Sequence, residues 1–337
     1  MKVTLKYIAE KANLSPTTVS LILNGKNVRV SEEKRELVLE LAKKYNYHPN
    51  SLARALATNK TNIIGLVIPD ITNYFFAETA LIIETTLREY GYSLILCNTA
   101  DEADEENRYI DLLLSYGVDG LIICISHDSL FDKELLNKLE RQDIACVAFD
   151  RFINDLPFPY VSIDNEYGSS IATDYLIKNG HTKIGFIGGA PNVLSATQRF
   201  EGYKLSLKKA NIAFNENYVK HGNYQFESGY KAGLDLIKNT DITSVFVAND
   251  LMAYGFYKAA RELNKKIPED ISVVGFDDLL FSSTLDVPLT TIKQSTDELA
   301  KHVCDILIKK IAGEKVPNNV ILKPSLTIRD SVKKRES

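Results

Sequence analysis

Near the N-terminus, three short stretches place apolar residues at helical spacing. In LKYIAEKA, residues Leu5, Ile8, Ala9 and Ala12 share one face. In LSPTTVSLILNG, Ser15 stands at an N-cap position and Pro16 at the first helical position, and Asn24-Gly25 ends the helix. A third helix is expected from the Ser31 cap, with Glu32 and Glu33 favouring its dipole, through Leu37, Leu41 and Tyr45. The sequence HPN at 48–50 then breaks the pattern.

After Asn62 the period changes. NIIGLVIPD, YSLILCN, DGLIICI and IACVAFD read as buried parallel strands, separated by helical stretches at 78–90 and 105–116. The alternation returns with the strands KIGFIGG, SVFVAND and ISVVGFDD, and with helices after Ser195, after Gln225 and over 251–264. LTTIKQ, around Thr290, precedes a further helix at 295–311, and the chain closes with NNVILKPSLTIRDS. Such βαβ grammar predicts an α/β protein with two doubly wound lobes of about 100 to 130 residues each behind a small helical unit.

Charge sharpens this division. Residues 1–60 hold 11 Lys and Arg against 5 Asp and Glu, a net of +6, while the remaining 29 against 39 give −10, for −4 in all. The basic unit suits a polyanion, and a lysine-rich solvated surface is the alternative that charge alone leaves open. The cysteines, Cys97, Cys124, Cys146 and Cys304, have no CxxC spacing and read as reduced core residues. No stretch approaches about 18 consecutive apolar residues and the N-terminus has no secretory pattern, so a soluble cytoplasmic protein without a membrane partner is expected.

The first two helices, joined by Asn13-Leu14-Ser15, have the spacing of a helix-turn-helix. Ala9, Ala12, Val19 and Ile22 would lock them together, leaving Thr17, Thr18 and Ser20 to reach phosphates and base edges. An ordinary helical hairpin with a polar outer face is the competing reading. In the lobes, Asp70, Asp150, Asn249 and Asp277 follow strand ends, where open α/β sheets bind ligands and where a carboxylate also serves as a helix cap. Enzyme signatures are missing: there is no GxGxxG, GxxxxGK[ST] or HExxH, GFIGGAP reads as a strand end and loop, and His127, His181 and His221 lack metal-ligand spacing and read as surface or capping residues. A non-enzyme without cofactor or metal is expected. A bare solute-binding module would explain the lobes but not the basic unit.

Several segments, in order, resemble the lactose-repressor family of bacterial transcription regulators: VTLKYIAEKANLSPTTVSLILNG, VSEEKRELVLELAKKYNYHPNSLARALATNKTNIIGLVIPDITNYFFAE, VDGLII, FVANDLMAYGFYKAARE, IPEDISVVGFDD and PLTTIKQ. The resemblance implies an N-terminal helix-turn-helix headpiece (1–48), a hinge helix and linker (49–61), and two parallel-sheet lobes of periplasmic-binding-protein type. The first lobe would comprise 62–161 with 291–321, and the second 162–290 with 322–332. It also implies a homodimer reading a palindromic operator, a small effector in the interlobe cleft and, in some relatives, a phosphoprotein partner. Operator contacts would come from Thr4, Ser15, Pro16, Thr17, Thr18, Ser20, Leu21, Asn24 and Tyr47, and from Asn50, Ala53, Arg54 and Leu56 in the hinge. Leu56 occupies the position of the intercalating leucine that bends the duplex.

This chain departs from the family at Leu21, where an arginine able to grip guanine is usual, and at Tyr7, where an acidic residue is common. For the effector, the resemblance adds Asn73, Phe75, Phe76, Asp164, Ser195, Arg199 and Tyr224 to the strand-end residues. Aromatic faces with Arg199 and Asp277 suit a sugar acting as inducer. A purine is the runner-up, but the arginine that purine-responsive relatives carry six positions before Arg199 is Val193 here.

Overall fold

The computed structural model describes residues 3–47, 60–126, 138–139, 141, 144–152 and 156–335. The chain divides into two compact units, Met1–Thr61 and Asn62–Ser337. Helices α1 (Leu5–Ala12), α2 (Pro16–Leu23) and α3 (Glu32–Lys44) form the first, around Ile8, Ala9, Ala12, Val19, Ile22 and Val38. Ser31 holds the cap position of α3 without a side-chain cap bond, and the buried seam runs through Val38 and Ala42, whereas the expected Leu37 is exposed. Tyr7 packs edge-on against Tyr45, with ring centroids 5.3 Å apart, which gives this departure a structural role.

The second unit holds two six-stranded sheets. The first has the order β11-β5-β4-β3-β1-β2, with β1 (Ile63–Ile68), β2 (Ser93–Asn98), β3 (Gly120–Ile123), β4 (Ala145–Phe149), β5 (Tyr160–Ile163) and β11 (Asn319–Leu322) all parallel. The helices α4 (Tyr74–Glu89), α5 (Ala103–Ser115) and α10 (Thr296–Ile311) belong to this lobe. The second sheet has the order β12-β10-β9-β8-β6-β7. Its strands are β6 (Ile184–Gly188), β7 (Val219–His221), β8 (Ser244–Val247), β9 (Ser272–Asp277), β10 (Thr290–Lys293) and β12 (Ser325–Thr327). It carries α6 (Asn165–Lys178), α7 (Leu194–Lys209), α8 (Phe226–Asn239) and α9 (Asp250–Glu262), and its edge strand β12 is antiparallel. Strands β1, β3, β4, β8 and β9 are buried almost throughout, as their continuous Val/Ile/Leu/Phe runs require of a sheet covered on both faces.

The chain passes between sheets three times, after β5, after β10 and after β11. The expected lobe boundaries at 161/162, 290/291 and 321/322 therefore cut through β5, β10 and β11, because each strand is completed in its own sheet before the chain crosses. Cys97, Cys124, Cys146 and Cys304 are buried and free. His181, read as a surface or capping residue, is buried, its two ring nitrogens meeting Thr243 Oγ1 at 3.0 Å and the Lys333 carbonyl at 3.1 Å.

Candidate functional site

The headpiece unit builds its presenting helix through two caps and one tight turn. Thr4 Oγ1 accepts from the Tyr7 amide at 3.3 Å, and Asn13, in the left-handed region, lets Leu14 N–H reach back to the Ala9 carbonyl at 3.0 Å. Ser15 Oγ then caps α2 through the Thr18 amide at 3.1 Å and lies 2.8 Å from Thr18 Oγ1. Val19 and Ile22 are buried, so Pro16, Thr17, Thr18, Ser20 and Leu21 lie on the exposed or half-exposed side of α2. Asn24 turns its amide back onto the Ser20 carbonyl at 2.7 Å, and Tyr47 is half-buried against the headpiece core. Asn50, Ala53, Arg54 and Leu56, like His127, lie outside the described residues.

In the second unit, strand ends from both sheets converge on a narrow, closely walled cleft. The first lobe supplies Asn73, Phe75 and Phe76 at the start of α4, and Asp150 and Arg151 after β4. The second supplies Ser195 and Arg199 from α7, Tyr224 before α8, Asn249 after β8 and Asp277 at the end of β9, and Gln294 comes from the crossing that follows β10. Nine of the eleven expected effector residues thus line one cavity. Asp150, Tyr224 and Asp277 hold φ of +60°, +65° and +125°, uncommon for residues with side chains and typical of strained functional loops.

Arg199 organises the second-lobe wall. Its Nε donates to Asn165 Oδ1 at 2.8 Å, its Nη1 donates to the Ala248 carbonyl at 2.5 Å, and the guanidinium lies 3.7 Å from the Phe276 ring centroid. Arg151 reaches Asp101 at 2.8 Å and spans the cleft, 5.8 Å from the Phe76 ring and 5.5 Å from Tyr224. Burial raises the pKa of Asp150, with Arg151 and Arg199 pulling it back. Burial raises the pKa of Asp277 well above its ordinary value, Arg199 opposes this, and Asp250 and Asp150 add to it. Gln294 Nε2 donates to Asp277 Oδ1 at 2.6 Å, leaving Gln294 Oε1 buried without a partner. Tyr224 Oη, near Ser195, is likewise buried without a hydrogen bond of proper geometry. Both orphaned atoms belong to a wall that a polar molecule would complete.

Two expected effector residues stand elsewhere. Asp164 caps α6, its Oδ1 accepting from the Tyr167 amide at 3.0 Å, because it sits one residue before the helix with its carboxylate turned to the free amides. Asp70 accepts from Gln225 Nε2 at 2.7 Å and from the Thr72 amide and hydroxyl, so it ties the two lobes together outside the lining. Asn249 lines the cleft and also caps α9 through the Met252 amide at 3.0 Å. Phe75 and Phe76 serve both core and cleft, with ring centroids 5.1 Å apart. Three residues escaped sequence reasoning. Arg151 follows Asp150 directly and Gln294 ends LTTIKQ, so a charged or amide residue just past a strand was the available signal. The third is Gly189, where a Cβ would come within 2.2 Å of the Tyr224 ring, so glycine alone lets that ring lie across the cleft.

Behind Asp277, Asp250 is fully buried, with its pKa pushed up to about 6 by desolvation. Ser282, Thr291 and the Leu279 amide oppose that rise, and Asp278 adds to it. A carboxyl raised above its unfolded value near 3.9 contributes stability that is full below about pH 4 and lost as pH rises through about 6. Between pH 5 and 7 this group should remove about 1 kcal/mol of stability. Urea midpoints across that range should therefore change less for Asp250→Asn than for the parent chain, and an identical slope would contradict the assignment.

Residues 4–50 match the bacterial regulatory proteins of the lacI family, and residues 173–332 match the periplasmic binding protein-like domain. A ribose operon repressor of Halalkalibacterium halodurans is 35% identical over 338 residues, covering 99% of this chain and 98% of that protein. The chain belongs to the lacI family of bacterial regulatory proteins. The transcriptional repressor PurR of Vibrio vulnificus is 34% identical over 98% of this chain and 99% of its own. A lac repressor dimer bound to operator and the anti-inducer ONPF superimposes with a TM-score of 0.87 at 27% identity, over 99% of this chain and all of that one. As a lacI-family chain, it carries the family's helix-turn-helix domain ahead of two lobes that frame this cleft.

Proposed function

We propose that this chain is a transcriptional repressor that binds a palindromic operator as a homodimer and is released from it by a small neutral sugar, with D-ribose the first to test. The carrying observation is the donor-hungry interior of the cleft. Asp150, Asp277 and the orphaned Gln294 Oε1 accept hydrogen bonds, while Arg151, Arg199 and Asn249 donate them. A molecule with several hydroxyl groups serves both sets at once, and Phe75, Phe76 and Tyr224 can cover its apolar face. The ribose operon repressor at 35% identity supports the choice of sugar, and Val193 weighs against the purine alternative.

For the dimer, Tyr74 and Leu81 share one face of α4, and the Tyr74 ring meets Phe281 at 6.1 Å. Leu81, Leu280 and Phe281 are 65%, 57% and 54% exposed, an apolar surface suited to a second copy.

Titration calorimetry with D-ribose, D-ribose 5-phosphate and hypoxanthine tests the ligand. Ribose should bind. Its phosphate ester should bind about 100-fold more weakly or worse, since a dianion would lose its water beside the buried carboxyl groups of Asp150 and Asp277. Tight hypoxanthine binding with no response to any sugar would sink the assignment. Ribose that tightened operator binding in a gel-shift titration would overturn the inducer reading.

A further inference from the structure

Leu279 comes from the second lobe, lying between β9 and β10, yet it is only 4% exposed and belongs to the hydrophobic core of the first lobe with Phe75, Phe76, Ile83 and Phe149. Its placement is constrained from both sides. On the cleft side, Asp277 and Asp278 precede it with positive φ values of +125° and +61°, and Arg329 Nη2 holds Asp278 at 2.6 Å. On the other side, Asp250 Oδ2 accepts the Leu279 amide at 2.9 Å and the Ser282 hydroxyl at 2.5 Å, and Tyr254 Oη lies 2.8 Å from Ser282 Oγ. Tyr254, also from the second lobe, packs against both cores.

We propose that Leu279 is a closure peg: a positioning residue that holds the lobes together over the effector from outside the cleft lining. A peg seated in the opposite lobe's core has to leave it when the lobes part. Apolar surface is then returned to water, so burial of Leu279 favours the closed arrangement whether or not a ligand is present. Any ligand that needs both lobes binds more weakly once that bias is lost, even though its own contacts are intact. The inference rests on the sugar reading only for the choice of probe.

The test uses the full chain with Leu279→Ala, Leu279→Met and Ile306→Ala. Ile306 lies in the same first-lobe core but on α10, within one lobe, so its truncation loosens packing without touching the interface between lobes. Two readouts are needed. The dissociation constant for D-ribose should rise at least fivefold in Leu279→Ala, recover in Leu279→Met and stay within twofold in Ile306→Ala, although both alanine variants lower the melting temperature. Without any ligand, dipolar distances between spin labels at Glu102 and Asn223, exposed residues of the two lobes, should gain a longer population only in Leu279→Ala. If the two alanine variants behave alike in the distance measurement, the peg is overturned. If ribose fails to bind the parent chain, the sugar reading falls, and the ligand-free distances still decide the role of Leu279.

Discussion

Arg199→Met should lower sugar affinity by 100-fold or more and give a repressor that stays on its operator at sugar concentrations that release the parent chain. The side chain holds Asn165 and the Ala248 carbonyl, lies on Phe276 and offsets both Asp150 and Asp277. Removing one partner of a buried ionic group costs about 3 to 5 kcal/mol, because the remaining charge has no water to turn to. Here that cost is shared. Asp150 and Asp277 can retain protons, which lowers stability less than two unpaired buried charges would, while the lost donors weaken the ligand directly. Calorimetry should show the affinity loss and gel shift the retained operator binding. Sugar affinity within threefold of the parent would remove Arg199 from the site.

The second large effect concerns DNA. A chain starting at Asn62 retains the whole of the larger compact unit and should still bind sugar, but it should lose specific operator binding by at least 1,000-fold, the usual gap between specific and non-specific affinity. The full chain should also lose affinity steeply with salt, since the first sixty residues carry a net +6 and each phosphate contact releases counterions. Fluorescence anisotropy on labelled operator at several salt concentrations measures both. Specific binding by the truncated chain would move the DNA contact out of the headpiece.

The elements that periodicity made legible were those whose burial is one-sided or complete. The seam of α1 and α2, Ile8, Ala9, Ala12, Val19 and Ile22, is buried as its spacing requires. The apolar runs at 63–68, 145–149 and 272–277 are strands in the middle of sheets. Illegible were the short strands β5 and β7 and the weakly patterned helix α6, whose identity is set by neighbouring chain rather than by their own composition. In the cleft, strand-end polarity pointed to Asp150, Asn249 and Asp277, but it could not separate a residue facing a ligand from one that caps a helix. Asp164 and Asp70 follow the same local rule and were resolved only by where their hydrogen bonds go. Gln294 was harder to place because it lies beside Asp277 only through the pairing of β10 with β9, in which Lys293 stands opposite Asp277.

The three passages between sheets also set an order of events during synthesis. The core of the first lobe includes Leu299, Val303, Ile306 and Leu307 from α10, and its sheet is closed at one edge by β11. Those pieces leave the ribosome after nearly all of the second lobe, so residues 62–163 must wait, with apolar surface uncovered, for a helix encoded more than 130 residues later. The headpiece core, drawn entirely from residues 3–47, has no such delay. A nascent chain stalled near residue 290 would therefore present a folded DNA-binding unit ahead of an incomplete first lobe, the species on which chaperones are expected to act.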